Sequence, residues 1–269
     1  MTTAAAHPDQ TRAGGPAPRV PRLGGLNPTL VRIEVLRVAR NARTLAFAVV
    51  MPVAIYFAFG GSGGLGRQAV GRGNVAAYSM ISMALYGAMT VAVMTAASVS
   101  VERAQGWSRQ LRLTPLRPQA YVAVKAFTAL LTSLLPVVAV NAVGLLSGAT
   151  MPSDVWVLSM LLEWFGAAVL AAFGLFMGYL LPTENSMQFL GLGLALMAFA
   201  GGVFYPFYLM DPILQEVARF TPMWGPSMVA HAVLLGDAFD WVWALNICAW
   251  LAVFATGAGL MFRRDTRRV

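Results

Sequence analysis

The residues able to do chemistry are few, and their spacing sets most of them apart. The run GSGGLG at 61–66 satisfies G-x-G-x-x-G, and Gly61 to Gln68 approaches a phosphate-binding loop, with Arg67 and Gln68 where Lys and Ser/Thr belong. Such loops bind phosphate only between a strand and a helix N-terminus. Here an apolar run of membrane length precedes, so the segment reads as a flexible loop and no nucleotide site is expected in this chain. The two histidines, His7 and His231, lie far apart, and no two carboxylates share an apolar run, so no acid–base or nucleophilic constellation forms. His231 reads as a polar residue on a surface helix. The single cysteine, Cys248, lies inside an apolar run, which rules out an intrachain disulfide and a cysteine-built metal or redox cluster. No catalytic, cofactor or metal residues are expected.

One acid, Glu163, stands well inside an apolar run. A carboxylate in a membrane is costly and marks a functional site by default. It would neutralise a cationic cargo or change protonation during transport, or else serve structure near the outer end of its helix. Asn141 and Asn246 would line a path or bridge helices by hydrogen bonds. Met83, with Met80, Met89, Met94 and Met197, offers the pliable surface of a permissive binding wall, or plain packing. Gly174 and Gly178 read as close helix packing.

The elements that must position these groups are membrane helices. Apolar residues make up 58% of the 269 and charged residues 11%, against about a quarter charged in a soluble domain. This chain has too little polar surface to wet a globule. Six apolar runs, near 44–60, 75–99, 122–148, 155–181, 186–204 and 241–262, are long enough to cross hydrocarbon, which takes about 17–25 helical residues. The fourth and fifth are joined by a tight hinge, Pro182 to Asn185, while Pro52 and Pro136 predict kinks. The fold class is therefore an all-α polytopic membrane protein. Its six transmembrane helices are joined by an N-terminal elbow helix, a cytoplasmic segment after the second span and short outer helices before the last.

Lys and Arg set the orientation. With the N-terminus inside, seven Arg precede the first span, five Lys or Arg lie in 101–125 and four follow the sixth, against Arg67, Arg72 and Arg219 outside. Both termini are then cytoplasmic, and the high basicity belongs to topology rather than to nucleic acid. Residues 1–26, rich in Ala, Pro, Gly and Arg, read as a disordered tail. Residues 27–43 read as an interfacial helix capped by Asn27 and Pro28, with Val31, Val35, Val38 and Ala42 on one side and Glu34, Arg37 and Asn41 on another. In 205–240, Asp211–Pro212 and Pro226 open two short helices, the second stopped by Gly236, that roof the outer end as re-entrant or surface pieces.

The segment 101–118 is the most soluble-looking stretch between the apolar runs. Ala104, Trp107 and Leu111 share one helical side, Arg109 and Arg112 another, and Pro115 ends the helix. Apolar residues rimmed by charge on a cytoplasmic loop mark a protein contact. The pattern Glu102-Arg103, Gly106, Trp107 to Leu113, then Thr114-Pro115-Leu116 resembles the motif that follows span two in permease subunits of type-2 ABC exporters, the group that includes daunorubicin-resistance-type drug exporters. RVARNARTLAFAVVMPVAIYFAFG at the first span, LLPTEN between spans four and five, and GGVFYPFYLMDPILQEVARFTPMWGPSMVAHAVLLGD before the last extend the resemblance over nearly all of the chain beyond residue 27. Ala104 and Gln105 stand where that family often carries a second acid.

The resemblance implies a bacterial plasma-membrane subunit, paired with a second copy or paralogue and with two separately encoded ATPase subunits that hold ATP and Mg. Glu102, Arg103, Gly106, Trp107, Arg109, Leu111, Arg112, Thr114 and Pro115 would then belong to a coupling helix seated on the ATPase. Glu163, Asn141, Asn246 and Met83 would line the path of an amphipathic drug-like or antibiotic-like cargo. A lipid, a lipid-linked glycan or a peptide is an alternative cargo. An ion-gradient-driven transporter is a different class, and it would call for an inverted repeat and several intramembrane charges. A membrane scaffold that transports nothing is a third reading.

Overall fold

A computed structural model describes residues 28–61, 64–106, 118–181 and 186–267, which are almost wholly helical. The bundle is organised around α3, Val75–Ala97, which is buried on nearly every side. Asn74 caps it: its Oδ1 accepts from the Ala77 amide at 2.9 Å, relieving one of the orphan donors of the first turn. After a break at Ser98 the chain continues as α4, Val99–Ala104. Against α3 pack α2 (Ala42–Tyr56), α5 (Pro118–Ser147) and α6 (Ser153–Leu180). Outside α6 lies α10, Trp241–Arg267, which is mostly exposed.

The tightness around α3 comes from small residues. A side chain at Gly174 would meet the Val93 carbonyl oxygen at 2.5 Å, and one at Gly178 the Ala97 backbone at 3.1 Å. At Gly87 of α3 the neighbours are Pro136 of α5 at 2.9 Å and, from α2, the Ala48 carbonyl at 3.2 Å and Pro52 at 3.3 Å. Lipid gives no hydrophobic drive for helices to associate, so close backbone approach supplies the dispersion energy instead.

By length and composition the described helices supply four spans, α3 with α4, α5, α6 and α10. A fifth is added if α1, Pro28–Arg40, counts with α2, from which it is bent by 59°. The sequence holds six apolar runs. The run at 186–204 forms α7 only over Ser186–Ala200 and then turns at Gly201 and Gly202, where φ is 77°, so the helix falls short of the roughly 17 residues a span needs. The 182–185 hinge, the 1–26 tail and Asn27 lie outside the described residues.

At the end of the bundle remote from α1, a two-residue hairpin (β1 Ala69–Val70, β2 Gly73–Asn74) pairs Ala69 with Asn74. Asn74 also donates to the Gly148 carbonyl at 2.9 Å and accepts from the Thr150 amide at 3.1 Å, fixing the α5–α6 connection. Two short helices follow α7. The first, α8 (Pro212–Arg219), starts at Asp211, whose side chain accepts from the Ile213 amide at 2.9 Å. The second, α9 (Trp224–Leu235), ends at Gly236 in the left-handed conformation, φ 78°. α9 is no surface helix: it packs on α3 and α6, and its His231 is buried. The ring sits 3.0 Å from the Ser82 hydroxyl and 2.8 Å from the Ser227 carbonyl, which corrects the reading of His231 as a surface residue. The apolar side chains around it had too few polar partners to announce this in the local sequence.

Gly174→Leu is expected to push α6 off α3 and cost about 1–3 kcal/mol as overpacking. Gly64→Ala, where an added carbon meets nothing within 4 Å, serves as the comparison, and melting of the two purified variants in detergent checks the difference.

Candidate functional site: an ion cluster at the elbow end

The chain has a single lysine, and it is buried. Lys125 lies one turn into the membrane-length part of α5 and is 1% exposed. Its Nζ donates to Glu34 Oε2 of α1 at 2.5 Å and to Glu102 Oε1 of α4. Arg37 of α1 donates to the same Glu102 oxygen, and the Tyr121 hydroxyl of α5 donates to the other one. The Tyr121 ring also lies 5.7 Å from Nζ. Glu34 and Glu102 are nearly as buried as Lys125, whereas half of the Arg37 side chain remains exposed.

This arrangement follows from the cost of isolated charge. An ammonium or a carboxylate removed from water without a partner costs several kcal/mol, so each must be neutralised where it is buried. Two carboxylates around one ammonium leave a net negative charge, which Arg37 offsets from the exposed side. Three elements far apart in sequence are thereby held at one point.

The neighbour of Glu102 faces the other way. Arg103 donates to the Tyr179 carbonyl at 2.8 Å and stacks over the Tyr179 ring at 5.6 Å, gripping the last turn of α6. Those are carbonyls that a helix C-terminus leaves without intrahelical donors, where a cation is favoured. Tyr179 in turn meets Phe262 of α10 edge-on at 5.6 Å. The dipeptide Glu102–Arg103 therefore ties α4 to α1 and α5 on one side and to α6 on the other. Gly106 follows in the left-handed region, φ 75°, a conformation that glycine adopts without a Cβ penalty. Trp107, Arg109, Leu111, Arg112, Thr114 and Pro115 lie outside the described residues.

The other sequence-selected residues divide into separate places. Asn141 and Glu163 meet in the core: Asn141 Nδ2 donates to Glu163 Oε2 at 2.8 Å and to the Val137 carbonyl at 2.9 Å. Glu163 is fully buried, and Glu163 Oε1 and Asn141 Oδ1 have no hydrogen-bond partner among the described residues. Asn246 is elsewhere. Its Oδ1 accepts from the Gly225 amide at 3.2 Å and its Nδ2 donates to the Arg219 carbonyl at 2.9 Å, pinning α10 to the α8–α9 link. Met83 is buried in α3.

Glu34, Lys125, Tyr121 and Tyr179 are site residues that the sequence reading does not single out. It counts Lys125 among the basic residues of a loop, but Lys125 is a core residue of α5. The available signal was a lone lysine followed by an unbroken apolar run, which calls for a buried counter-ion.

Lys125→Met is expected to strand two buried carboxylates and to cost about 3–5 kcal/mol. Adding Glu34→Gln and Glu102→Gln should recover part of that loss, because no buried charge is then left unpaired. Thermal unfolding of the single and triple variants in detergent, followed by tryptophan fluorescence, measures both.

The family model for the ABC-2 type transporter matches residues 27–226 of the chain. That range holds α1 through the start of α9 and so every member of the ion cluster. The Bacillus subtilis (strain 168) protein named "Putative transport permease YvfS" is 25% identical over 223 residues, covering 82% of this chain and 90% of that protein. With the multi-pass helical architecture and the matched span, the chain belongs to the ABC-2 type transporter family and is a membrane protein of the permease kind.

Proposed function

We propose that the chain is the membrane-spanning subunit of an ATP-driven exporter that moves an amphipathic, drug-like or antibiotic-like compound outward. It works as a pair of permeases with two separately encoded ATPase subunits, which carry the ATP and Mg and do the hydrolysis. The elbow end faces the cytoplasm, as the Lys and Arg distribution favours. The run at 186–204 then completes six spans, and the segment 101–118 supplies the coupling helix that contacts the ATPase.

The single observation that carries this reading is the two-way joint at Glu102–Arg103. It lies just before the segment 107–117 in the chain. A push on that segment reaches α1 and α5 through the Glu102 carboxylate, and α6 through Arg103 on the Tyr179 carbonyl. Charge-assisted bonds between buried groups are short and stiff, so three helices would shift together rather than one at a time. Such a joint suits a machine that converts closure of the ATPase pair into rocking of a helix bundle. The uncommitted oxygens of Glu163 and Asn141 support a cationic or hydrogen-bond-donating cargo, which would reach them once the bundle has opened.

Two measurements test the reading. Trp107→Ala combined with Leu111→Ala should reduce co-purification of the ATPase encoded beside this protein by tenfold or more, while Arg103→Gln should keep the complex and lower transport per ATP hydrolysed. Unchanged complex and unchanged coupling in both variants would overturn the assignment. For the cargo, Glu163→Gln in proteoliposomes should lower export of cationic amphiphiles severalfold and spare neutral ones; equal losses for both would assign Glu163 to structure.

A further inference from the structure

The sharpest unmet demand inside the bundle lies between α5 and α6. Asn141 of α5 has two amide N–H groups, and both are committed. Its Nδ2 donates to the Val137 carbonyl at 2.9 Å and to Glu163 Oε2 of α6 at 2.8 Å. Those two acceptors fix the amide orientation, because a turned amide would set its oxygen against two other oxygens. Asn141 Oδ1 and Glu163 Oε1 have no hydrogen-bond partner among the described residues, and both side chains are buried, Glu163 completely. Buried polar atoms are nearly always satisfied, so two orphan acceptors on groups that already touch call for one donor.

No charged side chain of the packed elements supplies it. Among the described residues Asn141 alone bonds Glu163. Lys125 and Tyr121 of α5 belong to the ion cluster, and Arg103 of α4 is on the Tyr179 carbonyl. On α9, His231 is held by Ser82 and Ser227, with the Tyr78 ring of α3 against it at 4.1 Å. The described arginines of α10 follow Phe262, which meets Tyr179 at the end of the bundle that holds α1. A buried carboxylate with one neutral donor and no cation is far costlier than a neutral carboxyl. The smallest donor that meets the demand is a proton. Bound to Glu163 Oε1, it turns that oxygen from acceptor into donor and gives Asn141 Oδ1 the partner it lacks. Acid and amide then join by two hydrogen bonds, and one proton satisfies both orphans.

We propose that Glu163 and Asn141 form a proton-binding site that bridges α5 and α6 in this arrangement of the bundle. Parting of the two helices would bring water to the carboxyl. The proton then leaves to water as a cation takes its place at the carboxylate, one proton released for each monovalent cation bound. This exchange rests on the cationic cargo proposed above; the proton site does not.

The test is infrared spectroscopy of the full chain in nanodiscs at neutral pH, read at the C=O stretching band of a neutral carboxyl. The native chain should show this band, and Glu163→Gln should lack it. Glu163→Gln should also melt with the native chain, because an amide reproduces both hydrogen bonds of the neutral acid. Asn141→Leu should keep the band at a shifted frequency, since the C=O has lost its donor. Absence of the band from the native chain would overturn the proposal, as would a band that survives Glu163→Gln or one that Asn141→Leu leaves unshifted. A Glu163→Gln chain that fails to fold overturns it as well. If Asn141→Leu does not fold, the comparison of the native chain with Glu163→Gln decides alone. The expected bands, together with equal export losses for cationic and neutral cargo in Glu163→Gln, would keep the proton site and remove the exchange.

Discussion

A buried ammonium cannot be left alone, and much of the end of the bundle that holds α1 is arranged around that constraint. Lys125 is 1% exposed and takes both of its carboxylate partners from other helices, Glu34 from α1 and Glu102 from α4. Because removing any one group exposes the others to an uncompensated charge, the three helix ends are bound as a unit. The 59° bend between α1 and α2 is the geometric counterpart: α1 must leave the axis of α2 for Glu34 and Arg37 to reach α4 and α5. Ile33 and Leu36 of α1, which lie off the Val31, Val35 and Val38 side, remain exposed.

A second rule governs the middle of the bundle. Glu163 meets Asn141 there, but the described residues form no ion pair, and contact is made by closeness. Gly87, Gly174 and Gly178 each meet a neighbouring helix at the backbone, while the large apolar side chains Leu192, Leu196 and Phe199 of α7 and Leu245 and Val253 of α10 point outward. Glycines at the closest helix contacts and large side chains facing out suit a solvent that is itself hydrocarbon. Tyr56, Met80, Leu85 and Met89 fill the core between those contacts. α3, buried over 83% of its most apolar stretch, and α10, buried over 11% of its own, mark the two extremes among the described spans.

What the sequence made legible was whatever is encoded locally. Hydropathy over some twenty residues located the long helices, and the caps at Asp211 and Gly236 stand where short-range signals place them. The ion cluster is encoded at long range, with Lys125 and Glu34 separated by 91 positions, and no periodicity within either helix names the partner. His231 follows the same logic: its Ser82 contact spans 149 positions, so an apolar twelve-residue helix looked like a surface piece. For the 186–204 run, the described helix covers Ser186–Ala200 before the turn at Gly201 and Gly202, so its length alone does not make it a full span.

The meeting of Pro52, Pro136 and Gly87 has a mechanical consequence. Pro52 lacks the amide that would bond the Ala48 carbonyl, and that oxygen faces the bare Cα of Gly87. Two neighbouring helices thus each lose a rung of their ladder beside the same glycine of the central helix. A ladder with a missing rung flexes there before it flexes elsewhere. α2 and α5 therefore share a hinge plane at mid-depth, with the charged joint on one side and the hairpin roof on the other. A tilt of their elbow-side halves changes the angle between halves while each half keeps its own packing.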